Sequence, residues 1–260
     1  MISEEHFVYI DNSTPINEIS FQWSAPSNIA LVKYWGKKAH QLPENSSVSF
    51  TLNACKTITK STFSNKEKRD GFSFDLLFEG KPKEDFKPKI QNFLERIEHY
   101  CLYLKEYHIV IDTQNTFPHS SGIASSASGM AALAMNVMSL EQELNPSMTQ
   151  EYFYQKASFL ARLGSGSACR SVRGNVVVWG KHDEISGSSD LFGVQFLSKI
   201  HTNFDNYQDT ILLVDKGEKQ VSSTVGHNLM HNHPFASQRF LQAQDNLSVM
   251  KSVLENGDLE

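Results

Sequence analysis

Residues 117–134 have the sequence FPHSSGIASSASGMAALA, in which five serines and two glycines lead into an apolar, helix-like segment. Pro118 restricts the entry, Gly122 permits a turn, and Ser125 and Ser126 fall in the first turn of the expected helix. A helix N-terminus offers free N–H groups and a positive dipole end, which favour an anion. The lysine of the GxxxxGK[ST] phosphate loop is absent. The pattern therefore predicts either a different phosphate loop or a small-residue surface where two helices approach closely.

The chain as a whole has 260 residues, of which 40% are hydrophobic and 20% charged, with a formal net charge of −5. This composition predicts a globular protein of one or two domains, and the mild acidity argues against a nucleic-acid binder. The N-terminus lacks the apolar segment of a signal peptide, and no run approaches a membrane span. The three cysteines are odd in number and widely spaced. A reducing, cytoplasmic environment is therefore expected.

Hydrophobic periodicity predicts an α+β fold in which strands and helices interleave. Strands are expected at 47–63, 72–80, 108–118, 174–180, 195–201 and 210–217. Helices are expected at 88–107, 129–144, 149–163 and 234–257. The polar stretch at 183–193 predicts a boundary between an N-terminal domain, 1–188, and a C-terminal domain, 189–260. Because the second domain is small, we expect the natural protein to continue beyond Glu260.

A second cluster of small residues, GSGSACR at 164–170, follows directly after a predicted helix. It lacks the third glycine and the preceding strand of a dinucleotide-binding fingerprint. Three of the six arginines, Arg162, Arg170 and Arg173, lie in or beside it. Arginine suits bidentate recognition of carboxylate or phosphate, although pairing with surface acids is the alternative. Cys169 is interpreted as a small buried residue rather than a nucleophile.

Lysines flank an aromatic pair in the third candidate segment, where the sequence VKYWGKK covers residues 32–38. A strand would place Lys33, Trp35 and Lys37 on one face, with the tryptophan supporting cations that meet a polyanion. The alternative is a pair of solvated lysines on an edge strand. Together with the two Gly/Ser clusters, this segment predicts ligands with several negative charges, such as a nucleotide and a phosphorylated substrate.

Three histidines, at positions 227, 231 and 233, lie close together. A helical pair four residues apart can bind zinc, but no third ligand and no HExxH glutamate accompany it. Ordinary polar packing is therefore the favoured interpretation. The GxSxG pattern of a serine hydrolase is also absent.

Four segments resemble motifs of the diphosphomevalonate decarboxylase family, which belongs to the GHMP small-molecule kinase superfamily. They are SAPSNIALVKYWGKK at 24–38, the opening run at 117–134, GSGSACRS at 164–171 and SSTVGH at 222–227, which is similar to the family's SSTxGM. The resemblance implies a two-domain α+β fold of the GHMP-kinase type. Its N-terminal domain would combine a mixed sheet with helices, and its C-terminal domain would be a ferredoxin-like α/β sandwich. The active site would lie in the cleft between them.

The resemblance further implies an ATP- and Mg²⁺-dependent decarboxylation of mevalonate 5-diphosphate to isopentenyl diphosphate, ADP, phosphate and CO₂. The tertiary hydroxyl would first be phosphorylated, because a phosphate ester is a better leaving group, and loss of CO₂ would then supply electrons. A homodimer is also expected of the family. The alternatives are a kinase or decarboxylase for a related mevalonate phosphate, and a noncatalytic remnant that binds nucleotide or isoprenoid phosphate.

Each motif carries residues to which the resemblance assigns a role. The implied catalytic residues are Asn28, Lys33, Ser126 and Arg170, with Arg170 holding the substrate carboxylate and Asn28 orienting it. The other implied substrate-binding residues are Tyr34, Trp35, Gly36, Lys37, Ser165, Gly166, Ser167, Ala168, Cys169 and Thr224. The implied ATP-binding residues are Pro118, Ser121, Gly122, Ser125 and Ser126, and Ser126 is also the candidate Mg²⁺ ligand.

Three departures from the family pattern accompany the resemblance. Residues 1–260 contain no DAGxN motif, which carries the family's catalytic aspartate, and this absence is a second reason to expect a truncated chain. His227 stands in place of the family's methionine, and Lys37-Lys38-Ala39 stands in place of its KRD. The last two departures bear on substrate preference rather than on the class of enzyme.

Overall fold

The fold is organised around one long strand, β2 (Ser47–Asn65), at the centre of a mixed sheet. The computed structural model of the protein describes residues 2–10, 16–67, 71–118, 123–212 and 223–259. One edge of β2 pairs with β1 (Glu18–Val32), and its other edge pairs with β5 (Tyr107–Asn115) and then β6 (Val176–Trp179). The many β-branched residues of β2 suit this doubly paired, pleated position.

The remaining strands extend the sheet at both ends to seven strands within the described residues. Strands β3 (Ser73–Phe78), β4 (Lys81–Pro82) and β7 (Val194–Gln195) complete it. The order is β4-β3-β5-β2-β6-β7, with β4 and β7 at the two ends and β1 added on β2. Glu79 and Gly80 both have positive φ, 53° and 73°, as a type I′ hairpin between β3 and β4 requires. Helix α1 (Lys87–Ile97) then connects this hairpin to β5, which runs parallel to β3.

Three helices cover one face of the sheet and enclose the main core. Helix α2 (Ser125–Leu144) is buried on nearly every side, as its apolar first half predicts. It packs between the sheet and α3 (Gln150–Gly164), whose N-terminus is capped by Thr149 through the Tyr152 N–H at 3.2 Å. Helix α1 packs on α3 and completes this layer.

Two further helices, α4 (Ser223–Asn228) and α5 (Ala236–Asn256), follow in the C-terminal part. Helix α5 buries Ala243, Leu247 and Leu254 against valines at the ends of β1, β2 and β6. Helix α5 therefore packs directly on the end of the sheet where β1, β2 and β6 meet.

The mixed α/β architecture is confirmed, but three predicted elements differ from the structure and strand β1 was not predicted. The helix expected at 88–107 ends at Ile97, and two 3-10 turns continue to Glu106, because Cys101 leaves the helical region with φ −141°. The strand expected at 195–201 is limited to Val194–Gln195, after which Phe196 and Ile200 pack in the apolar cluster beneath α5 and Leu197 is exposed. Residues 210–212 carry no strand, and the rest of that predicted strand lies outside the described residues.

The segment of the predicted domain boundary, 183–193, is fastened to the N-terminal layers. The Trp179 indole N–H donates to the Asp190 carbonyl at 2.9 Å, and the Arg162 Nε–H donates to the Leu191 carbonyl at 2.7 Å. The sheet also continues past residue 188 into β7. The boundary itself stays a prediction.

A buried ion pair joins α2 to α3 in the middle of the main core. The Lys156 ammonium lies 2.6 Å from one Glu141 carboxylate oxygen and 2.7 Å from the other, and it also donates to the Tyr100 carbonyl at 3.0 Å. Burial raises the pKa of the Glu141 carboxyl, and the Tyr103 hydroxyl completes its hydrogen bonding at 3.1 Å. The two charges are therefore fully compensated inside the core.

We expect Lys156→Met to lower the free energy of unfolding by about 3 kcal/mol, because it leaves a buried carboxylate without its cation. Urea denaturation measures the change. The double substitution Lys156→Met with Glu141→Met should recover much of the loss, since it removes both charges. Lys251→Met, in a pair near the surface with Glu255, is the control and should cost below about 1 kcal/mol. A loss in the double variant as large as in the single one would contradict the role assigned to the unpaired charge.

Candidate active site

Two consecutive buried residues of β1, Ser27 and Asn28, connect the two Gly/Ser motifs. The register between β1 and β2 shifts between Pro26 and Ser27. The Ser27 hydroxyl donates to the Ile123 carbonyl, just before α2. The Asn28 amide donates to the Ser171 hydroxyl at 2.7 Å and to the carbonyl of Ser167 at 3.2 Å. The motifs predicted at 117–134 and 164–170 are therefore anchored to neighbouring residues of one strand.

Arg170 and the residues around its guanidinium, Asn28, Tyr34, Ser47 and Trp179, form a site that we call the cradle. Arg170, at its centre, is 2% exposed. Its Nη1 donates to the Ser47 hydroxyl, and its Nε and Nη2 donate to the side-chain oxygen Oδ1 of Asn28 at 3.4 and 3.3 Å. Aromatic rings flank it, with Tyr34 at 5.6 Å and Trp179 at 6.0 Å from the guanidinium carbon. Burial lowers the pKa of Arg170, and none of the described carboxylates forms an ion pair with it.

The other two arginines of the cluster follow the alternative prediction and pair with acids. Arg162 contacts Glu4 at 3.2 Å, and the more exposed Arg173 contacts Glu151 at 3.1 Å. A buried cation without a counter-ion is costly, because its lost hydration is not replaced by an opposite charge. Arg170 is therefore the arginine of this cluster whose surroundings suit an incoming anion.

Small residues make room for the aromatic wall of the cradle. A Cβ at Gly166 would lie 2.9 Å from the Trp179 ring, so glycine is required there. Ala168 and Cys169 are buried, as the sequence predicted for Cys169, and burial raises the pKa of its thiol to about 12. The Ser165 carbonyl, at the end of α3, accepts from the Ala168 N–H at 2.7 Å.

The lysine segment after β1 is not a strand, so the predicted strand face of residues 33–37 is wrong. Strand β1 ends at Val32, and the chain turns across the cradle. The Trp35 ring nevertheless supports cations, with the Lys33 ammonium at 5.0 Å and the Arg239 guanidinium at 4.9 Å from its centroid. Burial raises the pKa of Tyr34 to about 12, which keeps its phenol neutral near pH 7.

The N-terminus of α2 meets a cluster of cations. The helix begins at Ser125, after Ala124 in a left-handed conformation with φ 48°. The Lys89 ammonium donates to the exposed Ser126 hydroxyl at 2.7 Å. Partial burial lowers the pKa of Lys37, and the nearby charges of Arg96 and Lys89 lower it further. Lys89 therefore contacts the predicted phosphate loop directly, and Lys37 lies close enough to Lys89 and Arg96 for their charges to act on it.

Lys89 and Arg96 were not predicted as site residues. They lie seven residues apart on α1, which is about two helical turns, so they share one face of that helix. This spacing is a usable signal only when α1 is known to pack beside the start of α2.

The remaining predicted residues differ in how far their surroundings are described. Pro118 is exposed, Ser121 and Gly122 lie outside the described residues, and Thr224 belongs to α4 although its side chain is not described. The described residues contain no group of three or more His, Cys, Asp or Glu side chains that could hold a metal ion. Within the same ranges, no helix is long and apolar enough to cross a membrane.

Relatives of this chain are found among known protein families and curated proteins. The diphosphomevalonate decarboxylase-like N-terminal domain matches residues 25–191. Diphosphomevalonate decarboxylase of Debaryomyces hansenii is 35% identical over 213 residues, which cover 78% of this chain and 52% of that protein. The Saccharomyces cerevisiae enzyme is 34% identical over 222 residues, covering 79% and 52%. The chain therefore spans about half the length of these curated relatives.

Solved structures agree with the sequence comparisons. Mevalonate diphosphate decarboxylase from Staphylococcus aureus superposes with a TM-score of 0.72 at 27% identity, covering 92% of this chain and 68% of that one. A complex of MDDEF with MVAPP, AMPPCP and magnesium has a TM-score of 0.71 at 30% identity, covering 93% and 69%. On this evidence, the chain belongs to the diphosphomevalonate decarboxylase family.

Proposed function

We propose that the protein acts in the ATP-dependent decarboxylation of mevalonate 5-diphosphate to isopentenyl diphosphate. The single observation that carries this proposal is the buried Arg170, which has donors to spare and no described acid to pair with. Its contacts to Asn28 and Ser47 engage one N–H each on Nε, Nη1 and Nη2. An arginine has five N–H donors, so two are left for a bound carboxylate.

The cradle's residues have a direct chemical task in this reaction. Loss of CO₂ requires the carboxylate to be held in one orientation relative to the carbon that loses its oxygen substituent. Arg170 is itself fixed by Asn28, Ser47 and two aromatic rings, so it provides a rigid partner. The neutral phenol of Tyr34 and the ammonium group of Lys37 are assigned to the diphosphate end of the substrate, and Lys33 is assigned to the reacting centre.

The start of α2 is assigned to the phosphates of ATP. Free helix N–H groups and the Lys89 ammonium, which contacts Ser126, fit a polyphosphate in place of a Walker lysine. Bound Mg²⁺ would neutralise phosphate charge and would take most of its oxygen ligands from ATP. The Ser126 hydroxyl already accepts from Lys89, so it fits as a Mg²⁺ ligand only if that ammonium moves away, since both cations would compete for one oxygen.

Other properties come from the family alone. A homodimer, a cytoplasmic location and the use of Mg²⁺ are part of the proposal. Residues 1–260 contain no DAGxN motif, so the family's aspartate is not assigned to any residue of this chain. Ligand binding, rather than turnover alone, is therefore the measurement that isolates the contribution of the residues described above.

We expect Arg170→Lys to weaken binding of mevalonate 5-diphosphate by at least about tenfold, because lysine cannot make the planar, two-pronged contact to a carboxylate. Isothermal titration calorimetry measures the affinity. Arg173→Lys is the matched control, since this arginine lies in the same cluster but is paired with Glu151, and it should bind as the wild type does.

Thermal unfolding of both variants separates a binding defect from misfolding. Equal affinity of a folded Arg170→Lys variant and the wild type would sink the carboxylate assignment. Binding of mevalonate 5-phosphate at least as tight as that of the diphosphate would instead favour the reaction of a related mevalonate phosphate.

We expect Lys89→Met to weaken binding of AMPPCP with Mg²⁺ by about tenfold, the effect of losing roughly 1.4 kcal/mol from one phosphate contact. Lys87→Met on the same helix is the control, because Lys87 pairs with Glu84 at 3.0 Å and has no described contact to α2. The affinity of each variant is measured in the presence of mevalonate 5-diphosphate. If the two variants bind AMPPCP equally well, Lys89 has no role at the phosphate loop.

A further inference from the structure

His227 occupies a position inside the cradle that a methionine has in the family motif. It lies on α4 and is 8% exposed. Its imidazole stacks on the Tyr34 ring with centroids 4.4 Å apart and planes at 16°. Tyr34 in turn contacts Trp179 edge-on at 4.9 Å and lies beneath the Arg170 guanidinium. The imidazole is thus one layer of a stack that begins at the proposed carboxylate site.

The hydrogen bond of His227 determines which nitrogen carries the proton. Its Nδ1 lies 3.0 Å from the Trp35 carbonyl oxygen, which can only accept. Nδ1 is therefore the protonated nitrogen of the neutral ring, and Nε2 is the nitrogen that can take up a second proton. The structure gives Nε2 no hydrogen-bond partner within the described residues, whereas a methionine at this position would have no such group.

The charged groups facing His227 are cations. Burial is the main cause that lowers the pKa of this imidazole, and the charges of Lys37, Lys33 and Arg170 lower it further, against an opposing effect of the Trp35 carbonyl. Tyr34, the titratable group stacked on it, is neutral near pH 7. Among the described residues, no carboxylate contributes to this shift. The imidazole of His227 is therefore neutral near pH 7 in the free protein.

We propose that His227 is an anion-binding residue that takes up a proton when a phosphorylated ligand enters this cradle, and then donates a hydrogen bond from Nε2. The proposal rests on the proposed function and names a residue that adjusts its specificity for highly charged ligands. A bound ligand places negative charge beside these cations, with its diphosphate at Lys37 and its carboxylate at Arg170, which offsets the electrostatic cost of the imidazolium.

Proton uptake gives the affinity a definite pH dependence. The pKa of His227 is lowered in the free protein and rises in the complex, so binding takes up a proton between those two values. The contribution of His227 to affinity is therefore greatest below its pKa in the free protein. It is lost as the pH rises to its pKa in the complex. A methionine cannot contribute this dependence.

Isothermal titration calorimetry at about pH 7 tests the proposal, because a histidine titrates in this range. Mevalonate 5-diphosphate and inorganic pyrophosphate are the probes, each titrated in phosphate-free buffers of different ionisation enthalpy. The buffer dependence of the binding heat gives the number of protons taken up. We expect wild type to take up more protons than His227→Met or His227→Gln, by up to one per site. The ligand's own titration cancels in that difference.

Proton NMR of the histidine Cε1–H signals, titrated with and without pyrophosphate, provides a second measurement. The signal that is lost in His227→Met should titrate at higher pH when pyrophosphate is bound. His99→Gln, at an exposed histidine beside Glu5, is the control and should retain the wild-type proton uptake. Equal uptake by wild type and both His227 variants, or an unchanged His227 titration, overturns the proposal.

The two probes separate this inference from the proposed function. Proton-linked binding of pyrophosphate without any binding of mevalonate 5-diphosphate contradicts the proposed function while supporting the role of His227. Tight binding of mevalonate 5-diphosphate with the same proton uptake in the wild type and His227→Met contradicts only the role of His227. Failure of the wild type to bind either probe overturns both.

Discussion

Two adjacent polar residues buried at a shift of register, Ser27 and Asn28, set the geometry on which the site depends. A strand normally sends neighbouring side chains to opposite faces, so consecutive residues can hold two different loops. Ser27 holds the backbone before α2, and Asn28 holds the short 3-10 helix Gly166–Ser171, which carries Arg170. Because both contacts are buried, losing either would leave an unpaired polar group. The distance between the two motifs is thereby fixed by one strand rather than by two flexible loops.

The protein treats its buried cations in two different ways. In the core, Lys156 meets both oxygens of Glu141, and a carbonyl and a phenol complete the network. In the cradle, Arg170 is as deeply buried but is surrounded by an amide, a hydroxyl and aromatic rings. Since the same fold neutralises one cation completely, the lack of a described acid beside the other is a specific feature of the cradle. A bound anion would lower the free-energy cost of burying the charge of Arg170.

Sequence patterns predicted the elements whose side chains pack with a single period. Helices α2 and α3, the cap at Thr149 and strands β2, β3, β5 and β6 follow from such local signals, whereas β1, which carries Ser27 and Asn28, was not predicted. Two of the failed predictions, at residues 195–201 and 33–37, involve segments that contact α4 or α5, whereas the helix expected at 88–107 ends early for a local reason near Cys101. Lys89 joins the start of α2 through a contact 37 positions away, which no local pattern encodes. Motif resemblance identified Arg170, but only tertiary structure separated it from its acid-paired neighbours.

The two ends of the cradle are held by different kinds of structure, and this difference has a functional consequence. Arg170 and Asn28 are fixed to the sheet, whereas the Lys33–Lys37 segment is held by Asn45 and by the C-terminal helices. The Asn45 side chain accepts from the Trp35 N–H at 3.0 Å and donates to the Lys33 carbonyl at 3.1 Å. Helix α5 closes against the same segment so tightly that a Cβ at Gly36 would lie 2.9 Å from the Phe240 ring. Because a side chain there would push α5 away, the geometry at the lysines depends on how the C-terminal helices dock. Tyr34 passes part of that dependence to the carboxylate site, since its ring lies between His227 of α4 and Arg170, whereas the hydrogen bonds of Arg170 to Asn28 and Ser47 stay within the sheet layers.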